Sequence, residues 1–467
     1  MPYTVPQNID PNKIFLVNFS ELEGRLDPIY YASNFLHRFT QSHSVKLKDV
    51  CVSFSSGFGA GKDEQTDEKN GYIQIRPTNI NNNGELVFDK NVFVPLQKTV
   101  GLVEKRTVLF NNTNSQELVG KTAILLEERE LYASNHITSI VVDETKANAE
   151  YIWIILNVYQ RNKIFFSLCT NWNNQSGIGL DLLQSLKIPV PPLHIQQQIV
   201  NVYNAALSQR KKKLSESKAK LASIDQYLLG ELGITLPEDS HEKTFIVNYK
   251  DVDGGRLDPS IYKKNFKLIS SRYENVKLSK LAFINPSTTY KKLTADTKIS
   301  FVPMEQIDEI YSEISFMEDK KVSESTGYTR FMDGDLLWAK ITPCMQNGKS
   351  AIARNLSNGY GCGSTEFFVL RSRSNELSIE YIHNILHMQI VRETAMLYFG
   401  GSAGQQRVSS SFLEKFNLPL PPLSKQREIA DHISAIRAEA KALEQEANAI
   451  LEQAKKEVEE LILKESD

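Results

Sequence analysis

The chain has 467 residues, 41% hydrophobic and 24% charged, with a formal net charge of −2. This is the composition of an ordinary soluble protein with room for two or three domains, each with its own core. No apolar run is long enough to cross a membrane, and the N-terminus lacks a basic-then-apolar export signal, so no membrane association and a cytoplasmic location are expected. Cys51, Cys169, Cys344 and Cys362 form no CxxC, and the 8 histidines show no ligand spacing. That argues against a zinc or disulfide framework, and no metal site is expected.

Taken in order, the chain is one unit written twice. Gly24-Arg25-Leu26-Asp27-Pro28 returns as Gly255-Arg256-Leu257-Asp258-Pro259, and both are followed by an Asn-Phe pair (Asn34-Phe35, Asn265-Phe266). Gly57-Phe58-Gly59-Ala60-Gly61-Lys62-Asp63 has the glycines of a phosphate loop but the wrong spacing and an Asp where Ser or Thr is required, and it reads as a glycine-rich surface turn. Residues 71–77 alternate like a half-buried strand, and Asn81-Asn82-Asn83-Gly84 follows as a turn. Ile299 to Met304 holds the equivalent place in the second half. Val108-Leu109-Phe110 and Leu336-Leu337-Trp338 read as short buried strands, each running into a polar loop. Gly120-Lys121-Thr122-Ala123-Ile124 returns as Gly348-Lys349-Ser350-Ala351-Ile352. Residues 150–165 and 378–399 have helical spacing. These signals describe an α+β domain, present in two copies.

Each copy ends in a proline-rich entry to a long helix. Ile188-Pro189-Val190-Pro191-Pro192-Leu193 precedes the first, and Leu418-Pro419-Leu420-Pro421-Pro422-Leu423 the second. Val200, Leu207, Leu214, Leu221 and Leu228 recur every seven positions, as do Ile429, Ile436, Leu443 and Ile450. Such seams belong to helices that seek a partner. At Glu457 the second seam fails or shifts to Val458 and Leu461. The charges match: residues 196–232 carry 6 basic and 3 acidic side chains, and residues 424–467 carry 7 basic and 11 acidic. The expected boundaries are 1–190 for the first globular domain, 191–233 for the central helix, 234–420 for the second domain and 421–467 for the C-terminal helix. A pairing of these helices within one chain has to be antiparallel, with a pseudo-twofold axis between the halves. A helix of about 37 residues is roughly 55 Å long.

Catalytic signatures are absent: no HExxH, no GxSxG, no carboxylate–lysine nuclease cluster, and no Asn/Asp-Pro-Pro-aromatic sequence of amino-methyltransferases. The chain reads as non-catalytic. The polar loops that follow the buried strands, 111–116 and 339–347, and those near the end of each globular segment, 171–177 and 400–407, are rich in Asn, Gln, Lys and Arg. These side chains read base edges and hold phosphates. Asn-rich loops are also ordinary turns whose amides bond their own backbone; recurrence at equivalent places in both copies favours the functional reading.

The ordered set of motifs resembles the specificity subunits of type I restriction–modification systems. The resemblance is carried by Pro191-Pro192-Leu193-His194-Ile195-Gln196 and Pro421-Pro422-Leu423-Ser424-Lys425-Gln426, by Gly334-Asp335-Leu336-Leu337-Trp338 with Gly348-Lys349-Ser350-Ala351, and by the duplication itself. The first half departs at Lys105-Arg106-Thr107-Val108, where the second has Gly-Asp, and this loosens the turn expected there. The resemblance implies two target-recognition domains, each reading one half of a split, asymmetric double-stranded DNA sequence, with the antiparallel coiled coil setting the gap. A helix of roughly 55 Å matches about 16 base pairs at about 3.4 Å each. It further implies two methyltransferase subunits that use S-adenosylmethionine, and two motor–nuclease subunits that use ATP and Mg, with no cofactor held by this chain. The candidate DNA contacts are Asn112, Asn114, Asn173, Gln175, Lys340, Gln346, Gln406 and Arg407. The weak net charge implies poor DNA affinity for the chain alone. Two rival readings are a recognition subunit of a different restriction–methylation system and a coiled-coil scaffold with two protein-binding heads.

Overall fold

The computed structural model describes residues 44–95, 101–173, 175–236, 267–290, 293–402 and 405–464, together with residues 16, 244, 246–249 and 259. The repeated Gly-Arg-Leu-Asp-Pro motifs and the Asn-Phe pairs lie outside them, Pro259 excepted. The chain divides into two compact units, Met1–Lys211 with Ala447–Asp467, and Lys212–Glu446. Each contains one head and the stretches of both long helices that pack on it.

The first head is built on two four-stranded sheets. The antiparallel one runs in the order Cys51–Ser56, Ile137–Val142, Val108–Asn111, Thr122–Ile124. The other runs Val92–Val94, Tyr72–Ile75, Leu131–Ala133, Leu102–Val103, with its two inner strands parallel. The second head repeats both orders. Its antiparallel sheet runs Ala282–Ile284, Phe367–Ser372, Leu336–Ala339, Ser350–Ile352, and its mixed sheet runs Glu318–Lys321, Lys298–Val302, Tyr360–Gly363, Thr329–Met332. Even the register repeats: Leu109 faces Ala123, and Leu337 faces Ala351.

Several local expectations change in the structure. Residues 72–75 form a strand, but Ile73, Gln74 and Ile75 are all buried. The glycine-rich segment supplies the cover. Phe58 bridges to Ser134 in extended conformation, Gln74 Nε2 donates to Phe58 O at 2.9 Å, and Arg76 donates to Ala60 O at 3.0 Å. A side chain at Gly57 would meet Ala133 O at 1.8 Å, so its glycine is required by close approach and not by a surface turn. Each expected helix is two helices. Ala149–Arg161 and Ile164–Leu168 are separated at Lys163, whose φ is 57°, and Ile379–His387 and Gln389–Met396 at Met388, whose ψ is 138°. The turn at Lys105-Arg106 is retained: Arg106 takes φ 67° where Gly334 takes 88°. Arg106 N donates to Leu125 O as Gly334 N donates to Ala353 O, and ion pairs to Glu144 and Glu150 hold the arginine in that left-handed conformation.

The Gly-Lys-Thr/Ser repeats are framework. Lys121 Nζ donates to Ile80 O at 2.6 Å and Lys349 Nζ to Ile307 O at 2.8 Å, so each lysine pins the segment leaving the mixed sheet. Burial pushes the Lys121 ammonium below the usual lysine range.

The proline-rich entries are explained by a buried glutamine. Gln196 is fully buried, accepts Asn148 N–H at 2.8 Å and donates to Pro191 O at 2.7 Å. Gln426 does the same with Ser378 N–H (2.9 Å) and Pro421 O (2.9 Å). Asn148 and Ser378 are the N-caps of the head helices. Tyr151 and Tyr381 reinforce the joint by donating to Pro189 O and Pro419 O.

The long helices run Leu193–Leu232 and Leu423–Lys464. Within the unit Lys212–Glu446 they are antiparallel: Lys213 pairs with Glu446 at 2.5 Å, Lys220 with Glu439 at 2.6 Å and Glu231 with Lys425 at 2.6 Å. Of the expected seam, Val200, Leu228 and Ile429 are buried, while Leu207, Leu214, Leu221, Ile436, Leu443 and Ile450 are half-buried. The other seam line carries buried Ile433 and then small residues: Ala440, Ala447 and Ala454 are buried, and Ser217 Oγ donates to Ala440 O at 2.8 Å. Past exposed Glu457 the seam shifts to Val458 and Ile462, which join the core of the first head.

Two outcomes are expected in urea unfolding. Gln196→Ala and Gln426→Ala, each leaving a buried N–H and C=O unpaired, lower stability by about 1–3 kcal/mol or more. Ala440→Leu, which overfills the close helix contact, costs about 1–3 kcal/mol, whereas Lys220→Ala costs under about 1 kcal/mol because its ion pair is exposed.

Candidate nucleic-acid interface

In the first head the central strand Val108–Asn111 leaves the core and continues through Asn112 into Thr113–Asn114. That short strand pairs with Gln175–Gly177, which pairs in turn with Thr170–Trp172. Two loops that are about sixty residues apart in sequence therefore form one three-stranded ribbon. The second head builds the counterpart. Beyond Leu336–Ala339, Ile341 bridges to Arg407, Thr342 N donates to Gln406 O, Val408 N donates to Lys340 O, and Arg407–Val408 pairs with Phe399–Gly400.

The candidate residues differ in what their side chains are free to do. Asn112 is committed to the framework: its amide donates to Thr138 Oγ1 at 2.9 Å, and its oxygen accepts from Thr113 Oγ1 at 2.8 Å. Asn114 caps its own turn by accepting Ser115 N–H at 2.8 Å. Asn173 and Gln175 are exposed, with Asn173 at a left-handed φ of 39°. Together with Gln116, Asn171, Trp172 and Ser176 they line an open cleft of about 370 Å³. In the second head, Lys340 stands 5.6 Å from the Phe368 ring centre. Arg407 is exposed and grips Glu366 through two nitrogens, Nε to Oε2 at 3.0 Å and NH2 to Oε1 at 2.8 Å. That pair holds the Glu366 carboxyl below the usual carboxylate range and raises the Arg407 guanidinium. Gln346 is not part of the ribbon: its amide faces Met396 Sδ, and its carbonyl accepts from Arg392.

Two participants escape a reading from sequence. Trp172 stands among the polar residues of its loop, where composition points to the amides beside it. Glu366 precedes Arg407 by 41 positions and carries no sequence signal. Among the described residues no cluster of three or more His, Cys, Asp or Glu side chains has the geometry of a metal site, and no helix is long and apolar enough to cross a membrane.

Residues 41–226 and 270–453 each match the family model described as type I restriction modification DNA specificity domain. The chain belongs to this family. Among curated relatives, it is 40% identical over 195 residues to the type I restriction enzyme EcoEI specificity subunit of Escherichia coli, and 34% identical over 191 residues to the EcoAI specificity subunit. Each alignment covers 41% of this chain and 32% of the relative, so the match spans about a third of those proteins. A putative type I restriction enzyme specificity subunit, MjaX of Methanocaldococcus jannaschii, is 23% identical over 439 residues, covering 90% of this chain and 92% of the relative. A solved structure from work on complex assembly and conformational transition of the type I restriction–modification system has the same fold, with a TM-score of 0.51, 15% identity, and coverage of 91% of this chain and 97% of that one. The two family domains each contain one head with its ribbon.

A contact between Arg407 and a DNA phosphate predicts that its pair with Glu366 tunes duplex binding, measured as affinity against salt concentration. Glu366→Gln leaves the guanidinium without its carboxylate, so affinity at low salt rises and the slope of log K against log salt steepens by about one. Arg407→Ala flattens that slope.

Proposed function

We propose that this chain is the DNA sequence-recognition subunit of a type I restriction–modification complex, each head reading one half of a bipartite, asymmetric target. The observation that carries the reading is the duplicated ribbon: one framework presents neutral amides with Trp172 in the first head, and Lys340, Gln406 and the Arg407–Glu366 pair in the second. Phosphate contacts position a protein on DNA, and base-edge contacts specify sequence. A common scaffold with different tip chemistry therefore gives two half-sites of different sequence.

In this reading the chain itself is non-catalytic. Two methyltransferase subunits supply S-adenosylmethionine-dependent adenine methylation, and two motor–nuclease subunits supply ATP- and Mg-dependent cleavage. The name of the relatives as restriction-enzyme specificity subunits supports these partners. A net charge of −2 also fits a subunit that relies on partners for much of its phosphate contact.

The test is adenine methylation of a randomised DNA library by the chain with its co-purifying partner. One split motif is expected, with its halves changing independently when residues 44–185 or 275–415 are exchanged for those of a relative. Methylation without sequence preference overturns the reading.

A further inference from the structure

Trp172 is the odd member of the first ribbon. It is 46% exposed, whereas the other tryptophans, Trp153 and Trp338, are 3% and 1% exposed. Its position is nonetheless defined. The indole lies across Gly177 on the paired strand, so closely that a Cβ there would sit 2.4 Å from Trp172 Cη2. One side of the ring is thus seated on backbone while much of the rest faces the open cleft. Among the described residues, every other one lining that cleft is an amide or a serine (Gln116, Asn171, Asn173, Gln175, Ser176), and none carries charge. The ribbon of the second head is different in kind, with a carboxylate–guanidinium pair and an adjoining Lys340.

In the major groove Asn and Gln amides match the N6 and N7 edge of adenine, and apolar groups match the 5-methyl of thymine, whereas guanine is read by Arg or Lys. An uncharged cleft that combines exposed amides with one fixed apolar plate suits an A·T pair and offers nothing that selects G·C. We propose that Trp172 is a specificity-determining residue of the first head. Its indole takes the 5-methyl group of one thymine of that half-site while Asn173 and Gln175 bond base edges beside it. The inference rests on the DNA-recognition reading above and adds the residue, the group it reads and the head.

The decisive experiment removes a methyl group from the DNA instead of a side chain from the protein. The specificity chain is used in its native methyltransferase complex, on the motif identified by methylation sequencing, with the half-site of the first head assigned by head exchange. Each thymine of that half-site is replaced in turn by deoxyuridine. At one position the wild-type complex is expected to lose about fourfold in affinity, the worth of one buried methyl. Trp172→Ala is expected to bind thymine and deoxyuridine equally there, while Trp172→Phe keeps part of the difference. The second half-site is unaffected in all three. A purely structural role for the indole would weaken binding without erasing the thymine preference. A complex that is sequence-specific yet indifferent to deoxyuridine throughout the first half-site, or a Trp172→Ala complex with the wild-type penalty, overturns this inference and leaves the function intact. Loss of all sequence preference in the wild type overturns both.

Discussion

A primary amide has one strong acceptor and two donors in a plane, and two such amides decide how each head is joined to its helix. Gln196 and Gln426 are fully buried, where an unmatched polar atom is costly. Each takes the N–H of a head-helix N-cap and returns a hydrogen to a proline carbonyl in the entry to the long helix. Glutamate could accept but not donate, and leucine could do neither. The prolines restrict the backbone on one side of this joint, and Tyr151 and Tyr381 tie the same proline-rich entry to the same head helix. The long helix therefore leaves its head in a direction set by hydrogen bonds between well-packed elements, not by a flexible hinge.

The helix pair is built on a different compromise. One seam line is branched and apolar, while the middle of the other is alanine and serine, small enough for a serine hydroxyl to reach the backbone of the opposite helix. Close approach sacrifices buried apolar area, so pairing specificity has to come from elsewhere. Three ion pairs in the second unit follow the antiparallel order, and although each is weak because it is exposed, a reversed helix would bring like charges together. At the far end of the second helix the seam merges with the core of the first head through Leu451, Val458 and Ile462, where full burial takes over from small-residue contact.

Upon this framework the heads spend their sequence differences at the ribbon. Lysines that look like ligand residues, Lys121 and Lys349, are consumed internally by backbone carbonyls. Asn112, in a loop rich in amides, is likewise consumed. What is left exposed differs between the copies: an indole and amides in one, a guanidinium braced by a carboxylate in the other. The pair occupies Nε and NH2 of the guanidinium, so a phosphate has to compete with Glu366 for that fork.

Duplication, helix seams and charge matching are properties of order along the chain, and the repeated landmarks by themselves determined two α+β heads, two long helices and their antiparallel sense. The strands at Val108 and Leu336 and the polar loops after them were legible for the same reason: local periodicity and composition carry that information. Contacts between distant segments do not leave such a trace. The burial of Gln74 depends on a glycine segment that sequence alone reads as a turn. The alanine line of the helix seam is invisible to a search for large apolar residues. The retained turn at Arg106 depends on Glu144 and Glu150, some forty residues on. Which loop amides are free, which are spent on the framework, and that Trp172 and Glu366 stand beside them were decided only when tertiary packing brought the two loops of each ribbon together, because a hydrogen-bond partner is chosen by distance in space and not by distance along the chain.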